Sequence, residues 1–189
     1  MVSGPLALLI VFLPIGTGAA SNLWAAVADD WHATADTVAL VTGALSGIIS
    51  AAGCLAGGYL CDRLDRKTAY ALFGVVQAAC AVAMEFSPRT QAMYVVFTMT
   101  YALINGLTYA AFSAVTLEAI GWGAAATKYS LFASLSNMPI AYMTVMDGWP
   151  HTPCGPRGML NTEAAISIAA VVVFTAVYAM TTKRRSPAI

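Results

Sequence analysis

The chain has 189 residues, 59% of them apolar and only 10% charged, with a formal net charge of zero. An ordinary soluble domain carries about 25% charged residues and must cover a large surface with polar groups, so this composition argues against a soluble enzyme or a disordered chain. A nucleic-acid partner is not expected either, because the balanced charge offers no clustered basic face. An integral membrane protein remains, with the lipid bilayer as its first partner.

A spanning helix needs about 20 mostly apolar residues. Six segments qualify: residues 5–27, 37–60, 68–86, 91–120, 125–146 and 163–180. The first is too long for a signal-peptide core and lacks a basic residue ahead of it, so it reads as a span. It carries Pro14, Gly16 and Gly18 before Ser21 and Asn22, which predicts a bend. The second is built from small residues, among them Gly43, Gly47, Gly53, Gly57 and Gly58, whose spacing allows another helix to approach closely. The third has Gln77 as its one strongly polar mid-span residue. Like the sixth, it reads as lipid-facing.

The fourth segment differs. Tyr101, Asn105, Thr108, Tyr109, Ser113 and Thr116 recur at spacings of three and four, so they share one helix face. Ser130, Ser134 and Asn137 do the same in the fifth, where Pro139 predicts a kink. Polar faces in hydrocarbon are costly, so they should meet other helices or a water-filled cavity. Interhelical hydrogen bonding would account for any one of these residues. The combined faces favour a cavity, with Asn22, Tyr101, Asn105, Tyr109, Ser134 and Asn137 as candidates for a solute path. Residues 147–161 are rich in Pro and Gly and read as an irregular loop.

Orientation follows from the basic residues. Seven of the nine, including Arg63, Arg66, Lys67 and the tail from Lys183 to Arg185, fall on one side, and Arg89 and Arg157 on the other. That bias assigns both termini to the cytoplasm, which an even number of spans permits. The expected location is a bacterial inner (cytoplasmic) membrane, with the chain crossing it several times. Asp147 and Glu163 fall on the outer side, and Glu85 and Glu118 near helix ends, so no carboxylate is expected mid-membrane. Cys54, Cys61, Cys80 and Cys154 form no C-x-x-C and have no His at ligand spacing. They read as packing residues, and neither a metal nor a cofactor is expected.

The most specific local signal lies between the second and third segments: Gly57-Gly58-Tyr59-Leu60-Cys61-Asp62-Arg63-Leu64-Asp65-Arg66-Lys67. Gly58 should permit tight packing at the helix end, and Asp62 can complement a helix N-terminus. Arg63, Arg66 and Lys67 can anchor the loop at an anionic leaflet. This pattern resembles the loop signature of the major facilitator superfamily: Gly58 matches its glycine, Asp62 and Arg63 its acid–base pair, and Arg66 and Lys67 its basic end. The family usually has Gly where this chain has Asp65. The resemblance implies an all-α membrane fold, one six-helix half of a twelve-helix transporter built from two three-helix inverted repeats. It also implies a small-molecule solute moved by alternating access, and a second half or a homodimer partner. The stretch from Ala126 to Ser136 is similar to the start of the eleventh helix in AmpG-like muropeptide permeases and their acetyl-CoA transporter relatives, which implies a C-terminal half.

An intramembrane enzyme is the main alternative from another class. Serine proteases of that kind need a G-x-S-G nucleophile, which Ser46-Gly47 does not supply, and His32 and His151 fall in expected outer loops. H-E-x-x-H is absent, as are the N-P-A repeats of an aquaporin-type pore. An integral membrane subunit with a structural role and no transport is the other alternative.

Overall fold

The structure, a computed structural model, describes residues 9–120 and 125–183. All regular structure among these residues is helical. Helix α1 is a short stretch, Trp24–Val27, and α2 covers Ala35–Cys61. Then come α3 at Arg66–Glu85, α4 at Gln91–Ile120, α5 at Ala125–Leu135 and α6 at Asn137–Lys183. Four helical stretches are long and apolar enough to cross a membrane: Ala35–Cys61, Arg66–Glu85, Gln91–Ile120 and Ala126–Thr181. At 1.5 Å per residue even α3 extends about 30 Å, the thickness of a hydrocarbon core.

The count differs from the expected six at both ends of the chain. The first segment is unwound rather than bent. Residues 9–12 are helical, and the helix then stops ahead of Pro14. Gly16 and Gly18 take left-handed φ values of 56° and 62°, a conformation that an L side chain resists. The chain then resumes as a 3₁₀ turn at Ala19–Leu23, α1, and a second 3₁₀ turn at Ala28–Trp31. Irregular backbone at membrane depth is tolerable only when protein surrounds it. Here Ala19, Ala20, Trp24, Val27 and Trp31 are all buried. Residues 5–8 lie outside the described residues.

At the other end, the expected loop at residues 147–161 is helical. Pro150 and Pro153 sit inside α6, and the break is confined to Gly155, with φ 63° and ψ −157°. Pro156 follows that break, where a missing N–H removes no hydrogen bond from the new helical run. Gly158 lies so close to the Pro150 carbonyl that a Cβ would collide with it, so α6 kinks sharply and its second arm returns along the first. The kink expected from Pro139 falls at Ser136, where α5 ends one turn upstream. The ring of Pro139 opposes the carbonyl four residues before it, that of Leu135, the last residue of α5.

Two helices meet closely through glycine. A Cβ at Gly53 would strike the Leu103 carbonyl, one at Gly57 would lie 2.9 Å from Leu107 Cα, and one at Gly106 would strike the Ser50 carbonyl. Helices α2 and α4 thus touch backbone to backbone along Gly53, Gly57 and Gly106, as the small-residue spacing predicted. Gly58 does not take part: nothing lies within 4 Å of a Cβ built there. The expected packing role therefore belongs to Gly57, one residue earlier.

Helix α3 is the centre of the core rather than a lipid-facing helix. Its residues Ala69, Tyr70, Ala71 and Phe73 join Ile10, Ile15, Phe112 and Phe174 in one apolar cluster. Ala78, Cys80, Ala81 and Met84 join Trp24, Trp31, Tyr94, Tyr101 and Leu160 in the other. The sixth segment is also partly internal, with Ser167, Ala170, Val171 and Phe174 buried. Composition misled here because an apolar helix suits lipid and protein interior equally. Helix α2 is the open one, exposing Gly43, Gly47, Ala51 and Leu55 along one face.

Candidate functional site

The unwound residues around Pro14–Gly18 form one wall of a cavity of about 470 Å³, which α2, α3, α4 and the α5–α6 junction complete. Its polar lining comes from Thr17, Ser50, Asn105, Thr108, Tyr109, Ser136 and Asn137, and its apolar lining includes Ile10, Tyr70 and Phe112. A second cavity of about 300 Å³ is lined by Ser21, Asn22, Thr42, Ser46, Ser50, Thr98 and Asn105. Ser50 and Asn105 border both.

Local chemistry explains how each wall is held. With its helix unwound, the Gly16 N–H has lost an intrahelical acceptor and donates to Ser167 Oγ at 3.3 Å, while Ser167 Oγ donates to the Pro14 carbonyl at 3.2 Å. One serine of α6 thus serves both orphaned groups. The left-handed Gly18 is the floor on which Asn105 rests, since a Cβ there would fall 2.5 Å from Asn105 Oδ1. Asn22 Nδ2 donates to Thr144 Oγ1 at 2.9 Å, and Tyr142 OH to the Phe12 carbonyl at 2.8 Å, joining the first segment to α6. Beside the second cavity α2 widens into a π turn at Val41–Leu45, with Thr42 Oγ1 donating to the Val38 carbonyl and Ser46 Oγ to the Thr42 carbonyl. Such a turn is frequent at functional sites.

Of the predicted path residues, Asn105, Tyr109 and Asn137 line the larger cavity, and Asn22 with Asn105 the smaller. Asn137 Nδ2 is tied to the Ala133 and Ser134 carbonyls at 3.2 and 3.3 Å, closing the broken turn before it. Ser134 is exposed and lines neither cavity. Tyr101 also lines neither: it is fully buried, with its ring edge-on to Trp24 at 5.1 Å. Thr17, Ser50 and Ser136 were missed. Ser50 lies in the glycine-rich helix, where a small residue reads as packing. Ser136 lies about 100° or more around the helix from the Ser130–Ser134–Asn137 stripe, so helical periodicity gave no signal for it.

The loop between α2 and α3 has a different division of labour from the expected one. Asp65, the residue that departs from the resembling signature, caps α3: its carboxylate accepts from the Thr68 N–H and hydroxyl, both at 2.9 Å. Asp62 ends α2 and is exposed, so it does not serve the helix N-terminus as expected. Lys67 is buried rather than anchored at the leaflet: it is ion-paired with Glu118 at the far end of α4 and lies 5.7 Å from the Tyr178 ring. Arg63 lies over Tyr59, 4.3 Å from the ring centroid, and Arg66 is exposed.

Asp147, expected in the outer loop, and Glu163, expected at the outer end of the sixth segment, are fully buried in α6, as is Gln77 on α3. The expectation failed because it placed a loop where the chain is helical. At the end of the molecule where α3 gives way to α4, Arg89 stacks 3.8 Å over the Trp31 ring. Desolvation there lowers its guanidinium below the usual value, and Asp30 opposes the shift. Compared with known proteins, the chain matches no family model and no curated protein sequence.

Proposed function

We propose that this chain is one six-helix half of a secondary transporter, with a small solute moving through the cavity around Asn105 and Asn137. The observation that carries the reading is the cavity itself. Polar groups from the first segment, α2, α4 and the α5–α6 junction converge on it within an otherwise apolar helical protein. Pockets lined mostly by apolar groups with a few convergent polar ones are the usual form of small-ligand sites. The unwound Pro14–Gly18 stretch adds support, because broken helices that expose backbone groups are a recurrent feature of transporter binding sites.

The six spans of this reading are the unwound first segment, α2, α3, α4, the run from α5 to Gly155, and the second arm of α6. The loop signature from Gly58 to Lys67 supports membership of the major facilitator superfamily, with both termini cytoplasmic in a bacterial inner membrane. The exposed small-residue face of α2 offers a surface on which a second half or a second copy could pack. The muropeptide or acetyl-CoA class of solute rests on the Ala126–Ser136 resemblance alone. A structural membrane subunit is the competing reading.

Uptake of a mixed metabolite extract into membrane vesicles, read by mass spectrometry, tests the proposal. Vesicles containing the assembled protein should accumulate a solute that empty vesicles do not, and Asn105→Leu should abolish that accumulation while inserting normally. Equal accumulation by wild type and empty vesicles would favour the structural subunit.

A further inference from the structure

Asp147 and Glu163 stand on the two arms of α6, one before and one after the break at Gly155. Each is eight residues from that glycine, about 12 Å or two helical turns along its arm, so the kink brings the two carboxyls to the same level. Their carboxyls lie beside each other, Glu163 also lies beside Tyr101 on α4, and Tyr101 lies beside Gln77 on α3. All four residues have 0% exposure. None of their side-chain N or O atoms, as carboxylates and neutral groups, completes a hydrogen bond: both oxygens of Asp147, both of Glu163, both amide atoms of Gln77 and the Tyr101 hydroxyl are unpartnered.

The charges around the pair do not resolve this. Among the described residues no Lys, Arg or His forms an ion pair with Asp147 or Glu163. Helix α3 contributes Cys80 to the surrounding cluster, and α4 contributes Tyr94, whose hydroxyl donates to the Trp24 carbonyl. The 3₁₀ turn Ala19–Leu23, which packs on α6, carries no titratable side chain. On α6 itself His151 lies one turn beyond Asp147, with its Nε2 buried and unpartnered. Arg89, Arg157, Asp30 and Glu85 form a separate group. Two carboxylates in contact without a cation repel each other and forfeit their hydration. One proton between them removes a charge and supplies the missing donor.

We infer that Asp147 and Glu163 form a proton-binding site, sharing one proton between the two arms of α6 with Tyr101 and Gln77 as its polar surround. Gln77 and Tyr101 make the site more than an acid pair. Each is fully buried with its polar atoms unpartnered, Tyr101 beside Glu163 and Gln77 behind Tyr101, so the hydroxyl can donate to a carboxylate oxygen that the shared proton does not occupy. Release of the proton leaves two like charges in a dry core, so water must enter or the arms of α6 must part at Gly155. The site is therefore a proton-controlled clasp on the α6 hairpin. This inference does not rest on the transport reading. Among the described residues no cluster of three His, Cys, Asp or Glu forms around it, so a proton fits better than a metal ion.

Infrared spectroscopy of the full chain in lipid nanodiscs reads the proton directly. At neutral pH, where ordinary carboxyls are ionised, the wild type should show the C=O band of one protonated carboxylic acid per chain. The Asp147→Asn/Glu163→Gln double variant should lose that band, either single variant should shift it, and Glu85→Gln should leave it in place. Raising the pH should remove the band with release of one proton per chain. Absence of the band in the wild type, a measurement that needs no variant, would overturn the inference. So would its persistence in a folded double variant, or its loss at fixed pH on adding sodium or calcium, which would make this a metal-cation site. Should the double variant fail to fold, the single-variant shifts and the wild-type band decide. Since the band reports the proton and not uptake, its absence leaves the transport proposal standing.

Discussion

Asp65 and Asp62 stand three residues apart in one loop and do different work. Asp65 satisfies the first turn of α3, whereas Asp62 makes no such contact. Replacing Asp65 by Ala removes a cap and should lower stability by about 1 kcal/mol, read as an earlier thermal unfolding midpoint in detergent. Asp62→Asn should leave that midpoint unchanged. If Asp62 instead proves as costly as Asp65, the assignment of the cap is wrong. Asn105 is the other single residue on which much depends, because it borders both cavities and rests on the left-handed Gly18. Gly18→Ala should therefore mimic Asn105→Leu. Its Cβ would displace Asn105 and strain the backbone, and uptake should fall at least tenfold while membrane insertion persists, as measured in vesicles carrying equal amounts of protein.

At the scale of elements, the contact between α2 and α4 is set by glycines. Gly106→Val should push the helices apart and destabilise the chain by about 1–3 kcal/mol or more, as overpacking does. Gly47→Val meets nothing within 4 Å in this chain and should cost little on its own. Unfolding midpoints of the two variants check the contrast. That another helix would approach α2 closely was legible in its small-residue spacing, but the partner was not, and Gly43 and Gly47 share that spacing while meeting nothing within 4 Å. The bounds of α2, α3 and α4 were legible as well, within about two residues, since long apolar runs ending in polar turns leave few alternatives. The unwinding at Pro14–Gly18 and the helical Pro-rich stretch of α6 were not. Proline and glycine mark where regular structure is weakened, but tertiary contacts decide whether it breaks. Ser167 supports an unwound backbone at Gly16, whereas Pro150 and Pro153 stay within a helical run that breaks only at Gly155. The two buried carboxyls were hidden for the same reason, since their placement depends on that kink.

The described residues present four membrane-length helical stretches, with α3 central among them, and two cavities beside an interrupted first segment. If the chain is one half of a transporter, as proposed, it should not carry solute alone, because alternating access needs the second half. Purified chain at one copy per liposome should show no saturable uptake. The proposed placement of both ends in the cytoplasm predicts that a cysteine at Ser186, outside the described residues, resists an impermeant thiol reagent in intact cells once Cys154 is removed. On the transport proposal the Asn105–Asn137 cavity is a wet path and not a dry core. Cys54 lines that cavity, so the protein carries its own reporter. In a variant keeping Cys54 as its only cysteine, a small charged thiol reagent applied to vesicles of known orientation should modify it from at least one side. Modification should slow when Asn105 is replaced by Leu. A Cys54 that reacts only after denaturation, and never from either side of an intact membrane, would mean that the cavity is a dry core.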